Sequence, residues 1–317
     1  MYSTYYLIMM NWFRLALQLR GSVAPTIFPR VLFFGCLGFV ISLLYYWEIP
    51  VYWDMLKSII SNVVFNLVLG LLLVFRTNTA YDRLWEGRKL WGNLVINIRN
   101  LSRQIWVGVA EIEPQKDREE KIAVLRLLCA FAISTKLHLR QEIVNNEIEN
   151  LVKQSEYLQL KEVKNPVLTV ALWIGKYLQK QQNRNCINNN QLIAMNSLLD
   201  NMVEAFTGCD RIAKTPIPLA YAIYLKRLLL IYCIFLPFQG VDKWQWGTGF
   251  IVALISFILL GVEEIGNEIE NPFGYDANDL PLDDICKNLL QNTEDLINIG
   301  DLAVLTLDDV KAHHQDE

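Results

Sequence analysis

Four glutamates that follow a long uncharged stretch are the first residues to consider for acid–base or metal chemistry. They are Glu263, Glu264, Glu268 and Glu270. On a helix these positions do not share one face, so their carboxylates cannot converge on one substrate. The sequence also has no Gly-rich phosphate loop, no nucleophile elbow and no histidine placed as partner to a serine or cysteine. We therefore expect a protein that is not an enzyme.

Thiol and imidazole chemistry is equally weakly supported. The six cysteines lie far apart and form no C-x-x-C pair, and the three histidines are His138, His313 and His314. This spacing excludes the usual zinc-binding patterns. We expect the cysteines to be buried, reduced thiols.

The composition indicates a membrane protein. Of 317 residues, 53% are hydrophobic and 20% are charged, and the net charge is only −4. The chain is too apolar for a typical soluble protein. Basic and aromatic residues are not interleaved as in a nucleic-acid-binding module, so no nucleic-acid partner is expected.

Four apolar stretches are long enough, or nearly so, to cross a bilayer at about 1.5 Å per residue. They cover residues 31–47, 58–75, 217–240 and 244–262. The third is interrupted by Lys226 and Arg227, which must snorkel to an interface or face a wet lumen. The charged middle of the chain has helical periodicity and no strand alternation. We predict an all-α integral membrane protein with four transmembrane helices and a cytosolic helical region.

The domain plan follows from these stretches. It comprises an N-terminal amphipathic, cytosolic segment 1–26, a transmembrane hairpin 27–76, a cytosolic helical domain 77–215, two transmembrane helices 216–262 and a C-terminal acidic loop and helix 263–317. Lys and Arg flank the first and second spans on one side, which the positive-inside rule assigns to the cytosol. We therefore predict a multi-pass protein with both termini cytosolic, in a cell membrane or a thylakoid membrane.

The second span carries the most informative pattern. Leu67, Leu71 and Phe75 recur every four residues and form one apolar stripe on a helix. The stripe is either lipid contact or bundle core, or several copies of it line a hydrophobic neck that gates by dewetting. In the second case Asn62 and Asn66 would bond between helices or face the wider, wet part of a pore.

A basic stripe follows this span and has two interpretations. It contains Arg76, Arg83, Arg88 and Lys89. These residues are either a positive-inside signal that forms salt bridges with Asp82 and Glu86, or an electrostatic attractor for anions at an inner mouth. In the second interpretation Arg76 and Arg83 attract the anion.

Four motifs in the same order resemble the bestrophin family. The run 75–92 reads FRTNTAYDRLWEGRKLWG and resembles the segment after the pore helix of bacterial and plant bestrophin-like channels. The runs RGS at 20–22, PIPLAY at 216–221 and NPFGYD at 271–276 resemble the same family. The resemblance covers nearly the whole chain.

The resemblance implies a homopentamer that is surrounded by membrane lipids and has one central pore. The pore would pass small monovalent anions, chloride first and bicarbonate also. By position, Leu67, Leu71 and Phe75 would form the neck, and a second, cytosolic constriction would lie near Ile193. Two alternatives stay open: a cation-selective channel of the same architecture, since an apolar neck has no charge preference, and a non-conducting membrane scaffold.

Animal bestrophins bind calcium in an acidic loop after the fourth helix. The corresponding residues here are Asn271, Asp276 and Asp279, and their oxygens are the ligands that a hard cation prefers. The alternative is that these acids cap the following helix and pair with basic residues. Apart from this calcium hypothesis, no cofactor is expected.

Overall fold

The computed structural model describes residues 12–51 and 61–301. The first eleven residues, the start of the second predicted span with the loop before it, and the acidic tail lie outside the described residues. The described part contains α-helices, one 3₁₀ turn and no strand, as the all-α prediction requires.

The α-helices follow in chain order. They are α1 (Trp12–Ala16), α2 (Ala24–Tyr46), α3 (Val63–Gly108), α4 (Pro114–Leu139), α5 (Asn146–Glu149), α6 (Gln154–Glu162), α7 (Pro166–Asn183), α8 (Asn189–Lys214), α9 (Leu219–Trp244), α10 (Thr248–Glu268) and α11 (Leu282–Asp301). The 3₁₀ turn Gln245–Gly247 joins α9 to α10.

The chain divides into two compact units. The first contains the described residues of Met1–Glu86 and Thr215–Asp279, and the second those of Gly87–Lys214 and Leu280–Glu317. We call them the membrane unit and the helical unit. Helix α3 contributes residues to both.

Close packing of α2 against α10 holds the membrane unit together. A Cβ placed on Gly38 would lie 2.8 Å from the Gly249 Cα, and one on Gly249 would lie 2.4 Å from the Phe39 ring. Small residues of this kind let two membrane helices approach closely. Around this contact Ile27, Phe34 and other buried apolar side chains of α2, α9 and α10 form one cluster.

Four segments are long and apolar enough to cross a membrane, judged by length and composition. They are Ala24–Tyr46, Val63–Gly108, Pro114–Leu139 and Leu219–Glu268, the last of which contains both α9 and α10. In Pro114–Leu139, however, 72% of the apolar window is buried by the chain itself, against 22–39% in the others. We therefore interpret α4 as the core helix of the helical unit, and α2, the first part of α3, α9 and α10 as the four membrane helices.

Helices α3 and α9 continue through charged or polar residues that interrupt the sequence pattern. The second span and the start of the predicted helical domain 77–215 form one continuous helix, α3, of 46 residues. The polar residues between them do not interrupt it, and the Thr77 and Thr79 hydroxyls are satisfied within the helix by donating to the carbonyls of Leu73 and Phe75, one turn earlier. The third predicted span, which Lys226 and Arg227 interrupt in the sequence, is a continuous 26-residue helix, α9, long enough to cross a bilayer.

In the helical unit α4 is surrounded by other helices. Leu125, Leu128 and Phe131 are fully buried. Lys136 is also buried, and its ammonium lies 2.7 Å from a Glu147 oxygen and 2.8 Å from an Asp283 oxygen. A buried ammonium needs such partners, since leaving it unpaired is costly. The pairs connect α4 to α5 and to the start of α11.

Candidate functional site: the pore helix and its ionic anchor

Helix α3 begins at a side-chain cap. The Asn62 side-chain oxygen accepts hydrogen bonds from the backbone N–H groups of Val64 at 2.8 Å and Phe65 at 3.4 Å. These are among the donors that the first turn of a helix leaves unsatisfied. Asn66 donates from its amide to the Asn62 carbonyl at 3.1 Å. Asn62 and Asn66 therefore stabilise the start of α3, and their predicted role at a pore stays a prediction.

The apolar stripe of α3 is not covered by the described part of the chain. Leu67, Leu71 and Phe75 are 59%, 45% and 59% exposed. On the opposite face Leu69 and Leu73 are buried in a cluster with residues of α9. The helix thus has one face that the membrane unit buries and one apolar face that no described residue covers, which is typical of a surface that meets lipid or another subunit.

The basic end of the membrane part of α3 is held by an ion pair. Arg76 Nη2 lies 2.6 Å from Glu270 Oε2, and the Arg76 side chain is only 3% exposed. Arg83 donates to the backbone carbonyls of Glu270, at 3.0 Å, and of Thr215. The sequence analysis paired the basic stripe with Asp82 and Glu86 of the same helix. For Arg76 the partner is instead Glu270, just beyond the last membrane helix.

This geometry favours a structural role for Arg76. A guanidinium that is buried and neutralised by a carboxylate contributes little to the potential outside the protein. The interpretation as a salt-bridged positive-inside residue therefore agrees better with the position of Arg76 than anion attraction does.

The four glutamates at the end of α10 each contact a different segment of the membrane unit. Glu264 pairs with Arg30 of α2 at 2.8 Å, and Glu263 with Lys226 of α9 at 2.5 Å. Glu270 pairs with Arg76 of α3, and Glu268 accepts a hydrogen bond from Asn278 at 3.1 Å. We call this set the glutamate anchor. Because its carboxylates diverge to separate partners, it connects helices and does not form a catalytic group.

The sequence analysis did not predict the glutamate anchor, although the sequence contains a signal for it. Lys226 interrupts an apolar span, and an ionisable residue in a membrane helix needs an ionic partner or water. Glu263 and Glu264 are the first carboxylates after the next span. If α9 and α10 are taken as a hairpin, these positions predict an ion pair between Lys226 and one of the two glutamates.

The predicted calcium residues, Asn271, Asp276 and Asp279, lie in the loop between α10 and α11. Asp279 Oδ2 accepts the backbone N–H of Asp276 at 2.8 Å, an arrangement that closes the loop locally. Among the described residues no group of three or more His, Cys, Asp or Glu side chains is placed to hold a metal ion. The three predicted residues offer two carboxylates and one amide, a smaller set of acidic side chains than such a group, so calcium binding stays a prediction and no step is assigned to calcium.

The predicted cytosolic constriction falls in the helical unit. Ile193 lies in the first turns of α8 and is 67% exposed. An exposed isoleucine is available to a second copy or to a conduction path, and its role stays a prediction.

These features define a class: an all-helical, multi-pass membrane protein whose second membrane helix presents an uncovered apolar face. Residues 8–295 match a family described as "Bacterial/Fungal Bestrophin protein". The chain belongs to the bestrophin family.

Relatives and a solved structure agree with this assignment. The chain is 55% identical over 290 residues to the voltage-dependent anion channel-forming protein alr2987 of Nostoc sp., covering 92% of this chain and 93% of the relative. It is 51% identical to the voltage-dependent anion channel-forming protein sll1024 of Synechocystis sp., covering 91% and 92%. A crystal structure of a bacterial bestrophin homologue from Klebsiella pneumoniae is 26% identical, with a TM-score of 0.77 over 86% of this chain and 98% of that one.

Proposed function

We propose that this chain is an anion channel in which copies of α3 surround one central conduction path. The observation that carries the proposal is the apolar stripe Leu67, Leu71 and Phe75, left uncovered on a membrane helix whose opposite face is packed. Relatives named as voltage-dependent anion channel-forming proteins, similar over nine-tenths of their length, support anion transport. Membership of the bestrophin family indicates a channel and not an enzyme.

The permeant ions in this proposal are small monovalent anions, chloride first and bicarbonate second. Five copies would place five stripes around the axis and form a dry neck, which an ion crosses only when the neck wets. The chain needs no energy source for this, since the flux is passive. Ile193 would form a second constriction of the channel.

The decisive measurement is the reversal potential of purified protein in a planar bilayer under a KCl gradient. The proposal predicts a value near the chloride equilibrium potential, followed by a shift when bicarbonate replaces chloride on one side. A value near the potassium potential would replace the anion assignment by a cation-selective channel. Absence of current in both the wild type and a neck variant would favour a non-conducting scaffold.

A further inference from the structure

We propose that the membrane unit binds an anionic phospholipid in a groove between α2, α9 and α10. The groove has a volume of about 540 Å³, and Arg30, Phe33, Lys226, Leu230, Leu260 and Glu263 contribute to its lining. This volume lies within the range of about 300–1,000 Å³ of typical ligand pockets. The inference does not depend on the anion conduction proposed above, because lipid retention is measured without ion current.

The lining is ordered from charged to apolar along the groove. On α2, Arg30 precedes Phe33 by one turn, and on α9 Lys226 precedes Leu230 by one turn. Helix α10 runs in the opposite direction, since residues at its end pair with residues near the starts of α2 and α9. There Leu260 precedes Glu263. All three helices therefore place their charges at the same end, as a headgroup above an acyl chain requires.

The charged end presents cations outward and keeps carboxylates beneath them. The side chains of Arg30 and Lys226 are both 50% exposed, whereas those of Glu264 and Glu263 are 11% and 4% exposed. A guanidinium has five N–H donors and an ammonium three. Arg30 uses Nη1 for Glu264, and Lys226 contacts one oxygen of Glu263. The outer sides of both cations match a phosphate.

The apolar end matches an acyl chain. Phe34 and Leu229 are 5% and 1% exposed and form the floor, while Phe33 and Leu230 are 61% and 50% exposed and form the walls. Basic pockets between membrane helices are known to bind anionic headgroups. The complementary charge and the adjacent apolar walls therefore identify the occupant as an anionic phospholipid.

The test is native mass spectrometry of the purified full chain, loaded from mixed micelles with equal phosphatidylglycerol and phosphatidylcholine. The proposal predicts selective retention of phosphatidylglycerol. Leu230→Trp fills the groove and leaves the residues of both ion pairs unchanged. It should reduce lipid retention about tenfold, since each CH₂ of the acyl chain that the groove no longer buries lowers the binding free energy. Leu254→Trp on α10, where the leucine is also 50% exposed, is the matched control and should retain the lipid.

Selectivity has a separate test. In the variant Arg30→Gln, Glu264→Gln, Lys226→Gln, Glu263→Gln, both pairs are neutral but can still form hydrogen bonds, so preference for phosphatidylglycerol over phosphatidylcholine should disappear. Persistence of the preference would overturn the proposal. Equal lipid retention in Leu230→Trp and Leu254→Trp would also overturn it. A third contrary outcome is that the wild type carries no lipid and Leu230→Trp loses the oligomer, which would assign the groove to a neighbouring subunit. None of these readouts involves ion current.

Discussion

Arg76 of α3 and Glu270, just beyond α10, form an ion pair of 2.6 Å in which the arginine is almost fully buried. The other Glu270 oxygen accepts the backbone N–H of Ile217 at 2.8 Å, just before α9. One carboxylate therefore connects three of the four membrane helices. The end of the candidate pore helix is positioned by this residue, which is 194 positions away in sequence.

Replacing Arg76 alone should destabilise the fold strongly. Arg76→Gln leaves Glu270 without its cation, and breaking a buried pair typically costs about 3–5 kcal/mol. The double variant Arg76→Gln, Glu270→Gln should recover part of this loss, because no uncompensated charge remains. Thermal unfolding of the four proteins of this double-mutant cycle in detergent measures the coupling. Additive effects of the two substitutions on stability would show that Arg76 and Glu270 are not coupled.

The contact of α2 with α10 should be intolerant of one added methyl group. Gly38→Ala would place Cβ 2.8 Å from the Gly249 backbone, so the helices must separate and lose contact. We expect a loss of about 1–3 kcal/mol, as for overpacking of cores. Gly92→Ala on α3 is the control, because its Cβ would meet nothing within 4 Å. Equal unfolding temperatures for the two variants would disprove this packing argument.

The membrane helices could be predicted from the sequence because a long uncharged run that crosses a bilayer has few structural alternatives to a helix. The family resemblance also follows from local motifs such as the run 75–92. The partners of Arg76, Glu263 and Glu264 could not be predicted, since they depend on which helix ends meet in space. The join between the second span and the following helix was missed because charged residues mark the edge of the membrane and not the end of a helix.

Truncating the leucine side chains of the apolar stripe on α3 should increase anion flux if the stripe forms the neck. Leu67→Ala, Leu71→Ala widens and hydrates a constriction that an apolar ring keeps dry. We expect about a tenfold or larger rise in current per channel at fixed voltage, equivalent to about 1.4 kcal/mol removed from the barrier. Leu254→Ala on α10 is a matched control of similar exposure. Unchanged current in a variant that keeps its oligomeric state would exclude these leucines from the neck.

The attachment of α11 to α4 in the helical unit should depend on pH through Asp283. Arg140 Nη1 donates to both Asp283 oxygens at 3.0 and 2.8 Å, and Lys136 donates to one of them at 2.8 Å. Partial burial of Asp283 acts to raise the pKa of its carboxyl, but the hydrogen bonds from Lys136 and Arg140 outweigh this effect and lower the pKa below its ordinary value. The folded state therefore binds a proton here less readily than the unfolded chain does.

The sign of the pH dependence follows from that direction. Stabilisation by Asp283 is fully present above the unfolded pKa of about 3.9 and is lost as pH falls through the lower folded value. Asp283→Asn should cost only about 1 kcal/mol at pH 7, because the carboxylate is half exposed and screened by solvent, and the difference from wild type should shrink as pH falls below the unfolded pKa of about 3.9. Thermal unfolding between pH 7 and 3 measures this convergence, with Asp284→Asn in the same turn of α11 as control. A difference that stays constant with pH would show that Asp283 acts without its charge.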